Sequence, residues 1–165
     1  MEKNGFPGPG QNQNTRHLVE FMIPAELLGI TLEDLIPHRG RMVLIDDILE
    51  ISSSHALTAS VMNAAYPLVE ADGVQPLIMI ELAAQTAGVC NGWDRVKTKG
   101  IDSKQMGWLV GVKRAHFYIE HIPLGSRVVT RSENSHNYGN LREVASVLHL
   151  GDKRIGEVTL QLFQV

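Results

Sequence analysis

Glu81 and Gln85 stand four residues apart in "PLIMIELAAQTAG", a segment that from Pro76 onward is otherwise almost entirely apolar. On a helix that spacing puts both side chains on one face, within reach of each other. A carboxylate in apolar surroundings is poorly solvated, so its pKa is expected to rise and a neutral proton donor becomes available near neutral pH. Gln85, one turn later, is placed to orient that carboxyl or its water. The alternative is a buried acid bound to backbone or to a partner helix; burial is costly enough that either way the position has a reason.

The remaining reactive side chains carry less. Glu70 and Asp72 lie in the polar loop "LVEADG" and are expected to be solvated carboxylates near the usual value of about 4, hence weak bases. His116 and His121, five apart on a strand-like run, fall on opposite faces, and no histidine pair shows metal spacing, so no metal site is expected. His38 in "PHRG" reads as a capping or packing residue. A single cysteine, Cys90, excludes an internal disulfide and a one-chain thiolate cluster, and packing is its expected task. Gly107 and Gly111 are not followed by a helix, which argues against a phosphate loop.

The elements that must position these residues follow from pattern. Residues 1–15, "MEKNGFPGPGQNQNT", offer no apolar face and read as a flexible tail, with residues 16–165 as a single domain. "TLEDLIP" has Thr31 as N-cap, Asp34 three residues on and Pro37 as a stop, predicting a short helix. "RMVLIDDILEI" and "HALTASVMN" predict two strands, the second alternating Leu57, Ala59 and Val61 against Thr58 and Ser60. A helix is predicted from Pro76 to about Asn91, with Gly92 just past its end. It is apolar nearly all round and must be wrapped by other elements. Four strand-like runs follow, "WLVGVKRAHFYI", "SRVVTRSE", "LREVASVLHL" and "RIGEVTLQLFQV", with "ENSHNYGN" as a turn. Two strands, one buried helix and about four strands fit an α+β domain whose antiparallel sheet curls around a central helix, a hotdog fold.

Composition bounds the function. The chain has 165 residues, is 44% hydrophobic and carries 15 basic against 18 acidic side chains. That amounts to one domain with a core and no global field to collect nucleic acid or an anionic membrane surface. No apolar run approaches the roughly 20 residues of a membrane span, and no signal-peptide pattern opens the chain, so a cytoplasmic protein is expected.

Two segments go beyond architecture. "LIPHRGRMVLIDDILEI", residues 35–51, resembles the opening strand of the 3-hydroxyacyl-acyl-carrier-protein dehydratases, with their Leu-Pro-His-Arg lead, apolar run, Asp and Leu-Glu pair. "QPLIMIELAAQTAG" resembles that family's central helix, with Glu81, Leu82, Ala84, Gln85, Ala87 and Gly88 at the motif positions. "GWLVGVKRAHFYIEHIPLGSRVV" is similar to the strands that follow, including a turn at Pro123–Gly125. The resemblance covers about residues 31–165 and is most like a divergent branch associated with polyene and specialised acyl chains.

The resemblance implies a homodimer, or a heterodimer with a complete dehydratase subunit, whose two sheets are continuous and whose sites lie at the interface. A His of one chain and an acid of the other's helix remove water from a 3-hydroxyacyl thioester to give the trans-2-enoyl thioester, on acyl carrier protein or coenzyme A, with no cofactor. A backbone N–H at the helix start polarises the thioester carbonyl. Carried over, Glu81 is the acid and protonates the departing hydroxyl. The family His falls at Pro67, or at Tyr66 with a one-residue gap, and neither is histidine. Tyr66, with an ordinary pKa near 10, is no simple replacement base, though its hydroxyl can donate a hydrogen bond. The glycine whose N–H faces the thioester falls on Pro76, which has none, leaving Leu77 as the neighbouring donor. Pro76, Leu77 and Gln85 are therefore the expected substrate contacts, beside Glu81 and Tyr66 as the catalytic positions. Three functions remain open: a dehydratase, a catalytically impaired helper or acyl-binding subunit, and a hotdog thioesterase whose helix acid activates water.

Overall fold

The computed structural model describes residues 29–164. The expected tail, residues 1–15, and the start of the expected domain lie outside the described residues. Helix α1 (Leu32–Leu35) opens on a capping box: the Thr31 amide and hydroxyl both donate to Asp34 Oδ2 at 2.7 Å. A 3₁₀ turn at Gly40–Met42 leads to β1 (Asp47–Ile51), and β2 (His55–Val61) pairs with it antiparallel. A small hairpin, β3 (Val69–Glu70) with β4 (Gly73–Val74), precedes the long helix α2 (Ile78–Lys99). Then come β5 (Gly107–Phe117), β6 (Arg127–Tyr138), β7 (Leu141–Leu150) and β8 (Lys153–Gln164). The six long strands form one antiparallel sheet in the order β1-β2-β6-β7-β8-β5, with α2 packed on its inner face. This is the α+β hotdog architecture that the element order predicts.

Period-2 alternation sets the inner face. Ala56, Thr58 and Ser60 on β2, Val128, Thr130 and Ser132 on β6, Val144, Ser146 and Leu148 on β7, and Val158 and Leu160 on β8 are all buried. On β8, Val158 and Leu160 alternate with Thr159 and Gln161, and the apolar set is the inward one. On β2 the alternation does not separate a buried face from an open one: Thr58 and Ser60 are buried on the helix side, Ala59 is buried as well, and Leu57 and Val61 are only half-buried. The reason is that α2 presents hydrogen-bonding groups to this part of the sheet. Thr58 Oγ1 meets Thr86 Oγ1 at 2.7 Å, and Ser132 Oγ, bonded to Ser146 Oγ at 2.7 Å, donates to Ala83 O at 3.2 Å. The Thr58, Ser132 and Ser146 hydroxyls are thereby satisfied, whereas Ser60 Oγ and Thr130 Oγ1 are buried with no partner among the described residues; all are small enough to let the helix approach.

Three boundaries differ from the sequence pattern. β1 begins at Asp47, not Arg41, because the Met42 carbonyl and Leu44 amide are engaged by Gln85 and unavailable to a strand ladder. β6 runs through the predicted turn to Tyr138, its register with β7 continuing past an irregularity between Asn134 and His136, so the turn shrinks to Gly139–Asn140. His121 lies in the connection after β5 instead of on the strand.

The largest difference is α2, which starts at Ile78 and continues to Lys99, where Gly100 with φ +86° closes it by donating its N–H to Val96 O. Gly92 is inside the helix, and its role is close approach: a Cβ there would lie 2.1 Å from the Leu35 carbonyl oxygen. Gly88 is where the Ile36 side chain rests, 3.1 Å from an added Cβ. The segment from Ile30 to Ile45 therefore lies directly on α2, with Leu35, Ile36, Ile45, Val89, Cys90 and Trp93 in one apolar cluster.

Gly92→Ala gains about 1 kcal/mol of helix propensity but overpacks backbone against backbone, a cost of about 1–3 kcal/mol that the helix cannot relieve by a rotamer change. The expected result is a net loss of stability, read as a lower urea midpoint at unchanged slope. A raised midpoint would mean that the Leu35 segment does not sit on α2.

Candidate functional site

Gln85 is the fixed point of the site. It is 0% exposed, and its amide is fully engaged: Nε2 donates to Met42 O (2.7 Å) and to Glu81 Oε1 (2.7 Å), while Oε1 accepts from Leu44 N (2.9 Å). A primary amide has two N–H donors, and both are used. The irregular segment after the 3₁₀ turn is thereby tied to α2 at the level of Glu81.

His38 arrives at the same carboxyl from the other side. Its Nε2 lies 3.1 Å from Glu81 Oε1, and the two side chains are 29% and 30% exposed, open to solvent yet mostly covered. Sequence reasoning gives His38 a capping or packing task; the structure instead places it on Glu81. Several hydrogen bonds hold its loop. Arg39 Nη1 donates to Ile36 O and His38 O, both at 2.7 Å, Gln105 Nε2 donates to Asp34 O at 2.6 Å, and Arg95 Nη2 also donates to Asp34 O. The available sequence signal is the motif itself, a histidine in the "LIPHRG" lead; nothing in local spacing couples it to a helix 43 positions later.

These contacts reverse the expected behaviour of Glu81. The His38 hydrogen bond, helped by the Gln85 amide, holds the carboxyl below its ordinary value of 4.5, although burial pushes it up. The sequence-based expectation of a raised, neutral carboxyl is corrected: the donors outweigh desolvation, and the group is a carboxylate near neutral pH.

Both side chains line a cavity of about 210 Å³ along one stripe of α2: Glu81, Ala84, Gly88, Asn91 and Arg95. Its opposite wall is apolar, from Met106, Trp108 and Leu109 on or before β5 and Leu162 and Phe163 on β8. From Glu81 to Arg95 the stripe is about 21 Å long at the helical rise of 1.5 Å per residue. Ala84 and Gly88 keep its floor low. Among the described residues β5 is an edge of the sheet, and Trp108, at 60% exposure, stands beside exposed Val110 and Val112 on it.

The other expected site residues are placed differently. Tyr66 donates its hydroxyl to Leu44 O and packs on the main core, which puts it one peptide unit away from Gln85 and outside the cavity lining. Burial pushes its phenol up to about 12. Pro76 and Leu77 stand at the start of α2, also outside that lining. The amides of Ile78, Met79 and Ile80 are turned inward to Gln75 O, Pro76 O and Leu77 O. Glu70 is bonded to Gln75 and lies 3.2 Å from His121 Nε2. Among the described residues, no group of three or more His, Cys, Asp or Glu side chains is placed to hold a metal ion, and no helix is long and apolar enough to cross a membrane.

Two measurements follow from this geometry. Because the folded Glu81 carboxyl lies below its ordinary value, its stabilising contribution is fully present above that value and is lost as pH falls through the lower folded value. The stability difference between wild type and Glu81→Gln should thus be constant at neutral pH and shrink as urea midpoints are taken down from about pH 6 to about pH 3. A wild type that gains on the variant in acid would mean that burial dominates. Tyr66→Phe removes one hydrogen bond and should cost about 1 kcal/mol. Near-complete loss of function in that variant, with the fold intact, would place the phenol in the chemistry.

The comparisons with known proteins agree with the fold. The chain is similar to the structure described as the dehydratase heterocomplex ApeI:P from Xenorhabdus doucetiae, at 20% identity and TM-score 0.73 over 81% of this chain and 90% of that one. It is also similar to Cj0977, a sigma28-regulated virulence protein from Campylobacter jejuni, at 16% identity and TM-score 0.63 over 81% and 87%. A third similar structure is smu.793 from Streptococcus mutans bound to acetyl CoA, at 10% identity and TM-score 0.56 over 72% and 87%. No curated protein matches in sequence. Residues 30–165 match the family model described as ApeP dehydratase, and the chain belongs to this ApeP-like dehydratase family.

Proposed function

We propose that the protein takes part in removing water from a 3-hydroxyacyl thioester to give the trans-2-enoyl thioester, with Glu81 as the group that handles the substrate proton. The observation that carries this reading is the Glu81 carboxylate held by fixed donors at an apolar groove. Abstraction of a proton α to a carbonyl needs a base within reach of the substrate and a dry wall beside it. The groove offers both, and its length along α2 suits an extended acyl chain. Gln85 positions the carboxylate, and Leu77, with Pro76 before it, stands at the helix start where a thioester carbonyl would approach.

The thioester is carried by acyl carrier protein or coenzyme A. Acetyl CoA on the similar Streptococcus mutans structure supports that ligand class. We assign the reaction to the cytoplasm and require no cofactor for it.

A second reading is supported by the free β5 edge. Trp108, Val110 and Val112 are exposed on a strand whose outer edge has no partner among the described residues, which makes it an interaction surface. A second hotdog chain, identical or different, would pair there, and the similar structure from Xenorhabdus doucetiae is described as a heterocomplex. On this reading the chain is a helper or acyl-binding subunit that lends its groove and Glu81 to a complete dehydratase.

The test is hydration of short and medium enoyl thioesters by the purified chain, with free thiol followed in parallel to detect thioester hydrolysis. Glu81→Gln is expected to lower hydration by about 10²–10⁴-fold without altering the fold. Turnover by neither protein, restored when a complete hotdog dehydratase is added, would select the helper reading, and released thiol would select a thioesterase.

A further inference from the structure

The resemblance implies a histidine from one chain and an acid from the other, yet the positions where that histidine belongs are Tyr66 and Pro67. The imidazole that does meet the acid comes from elsewhere in the same chain. His38 Nε2 is 3.1 Å from Glu81 Oε1, and both line the groove. We propose that His38 and Glu81 form a proton-handling pair complete within one chain, in which Glu81 is the catalytic residue and His38 its positioning residue. This rests on the reading of the groove as a 3-hydroxyacyl thioester site.

The assignment of parts follows from the two ring nitrogens. An ionised carboxylate only accepts hydrogen bonds, so the ring proton facing it sits on Nε2. Nδ1 is buried and has no partner among the described residues. The ring is therefore turned so that its one engaged nitrogen serves Glu81. Other charged groups nearby are occupied: Arg39 is bound to Ile36 O, His38 O and Gln105, with Glu33 at 3.9 Å, and Arg95 is bound to Ser103 and Asp34 O.

With both donors fixed, one carboxylate can carry the whole proton transfer. Glu81 takes the α-proton, the C–H electron pair becomes the C2–C3 double bond, and the C3–O bond breaks with its pair on oxygen. The carboxylic acid so formed gives its proton to that oxygen, water leaves, and the carboxylate is regenerated with no external acid or base. His38 Nε2–H and Gln85 Nε2–H stay on Oε1 throughout, leaving Oε2 for the substrate.

The test combines imidazole nitrogen NMR on histidine-labelled protein with turnover. In wild type the His38 signals should show the proton on Nε2, and Glu81→Gln should move them; His38 signals indifferent to that substitution overturn the pair whether or not the chain turns over. In the hydration assay His38→Leu should lower kcat by about 100-fold with little change in KM. His38→Gln, which keeps a donor near the Nε2 position, should recover most of that loss; a glutamine variant as slow as the leucine variant overturns the positioning role. Mixed assemblies of His38→Leu and Glu81→Gln chains should turn over no faster than His38→Leu alone, because every pair is broken within its own chain, whereas recovered turnover would show a pair shared between chains. Absence of turnover in wild type counts against the thioester reading alone, since the NMR comparison still decides the pair.

Discussion

The buried amide of Gln85 is the interaction on which the rest of the site depends. A strand ladder would use Met42 O and Leu44 N in cross-strand pairing; here both belong to one side chain of α2. That removes residues 43–46 from β1 and lays them along the helix instead. The consequence reaches in two directions. The Leu44 carbonyl is turned where the Tyr66 hydroxyl finds it, and the preceding turn is held where His38 overlies Glu81. Replacing the amide by an apolar group of equal size would strand the N–H of buried Leu44, costing about 1–3 kcal/mol, and release the Met42 carbonyl.

The second constraint is the uneven covering of α2. A helix that is apolar nearly all round has to be buried on every side, and the described residues cover two of them. The sheet takes one side through a hydroxyl-bearing face, and residues 30–45 take another, brought close by Gly88 and Gly92. The third carries Glu81, Ala84, Gly88, Asn91 and Arg95, and across the cavity from it, among the described residues, stand side chains at the sheet edge, with Leu35, Pro37 and His38 at its margin. A groove is what remains when a helix built for enclosure is left open along one stripe, and its apolar wall is continuous with the exposed face of β5.

What was legible in the sequence is local. β7 matches its alternating run, the inward set on β8 follows its pattern, and the Thr31–Asp34 capping box forms where its spacing places it. The family resemblance itself rests on short motifs whose order survives in the chain. The failures are contacts between distant segments. Gly92 reads as a helix stop because glycine commonly is one, and only the Leu35 backbone explains it inside the helix. Thr58 reads as the solvent face of β2 because the group that meets it, Thr86, is supplied by α2. His38 meets Glu81 through an irregular segment, and irregular segments have no period to read.

The direction of the Glu81 shift turns on the same distinction. Judged by its neighbours in sequence, the carboxyl is surrounded by apolar groups and should be a neutral acid. Judged by its neighbours in space, it receives two N–H donors, one from 43 positions away, and these favour the charged form more than burial disfavours it. The difference decides which part of the reaction the chain already possesses. A neutral Glu81 would be a proton donor lacking a base, and the missing histidine would then be a lost function. In the proposed dehydration an ionised Glu81 would itself be the base, and would become the donor only after taking the α-proton. On that proposal the tyrosine and proline at the family histidine positions mark a site in which one carboxylate would do in sequence what the resemblance divides between two side chains.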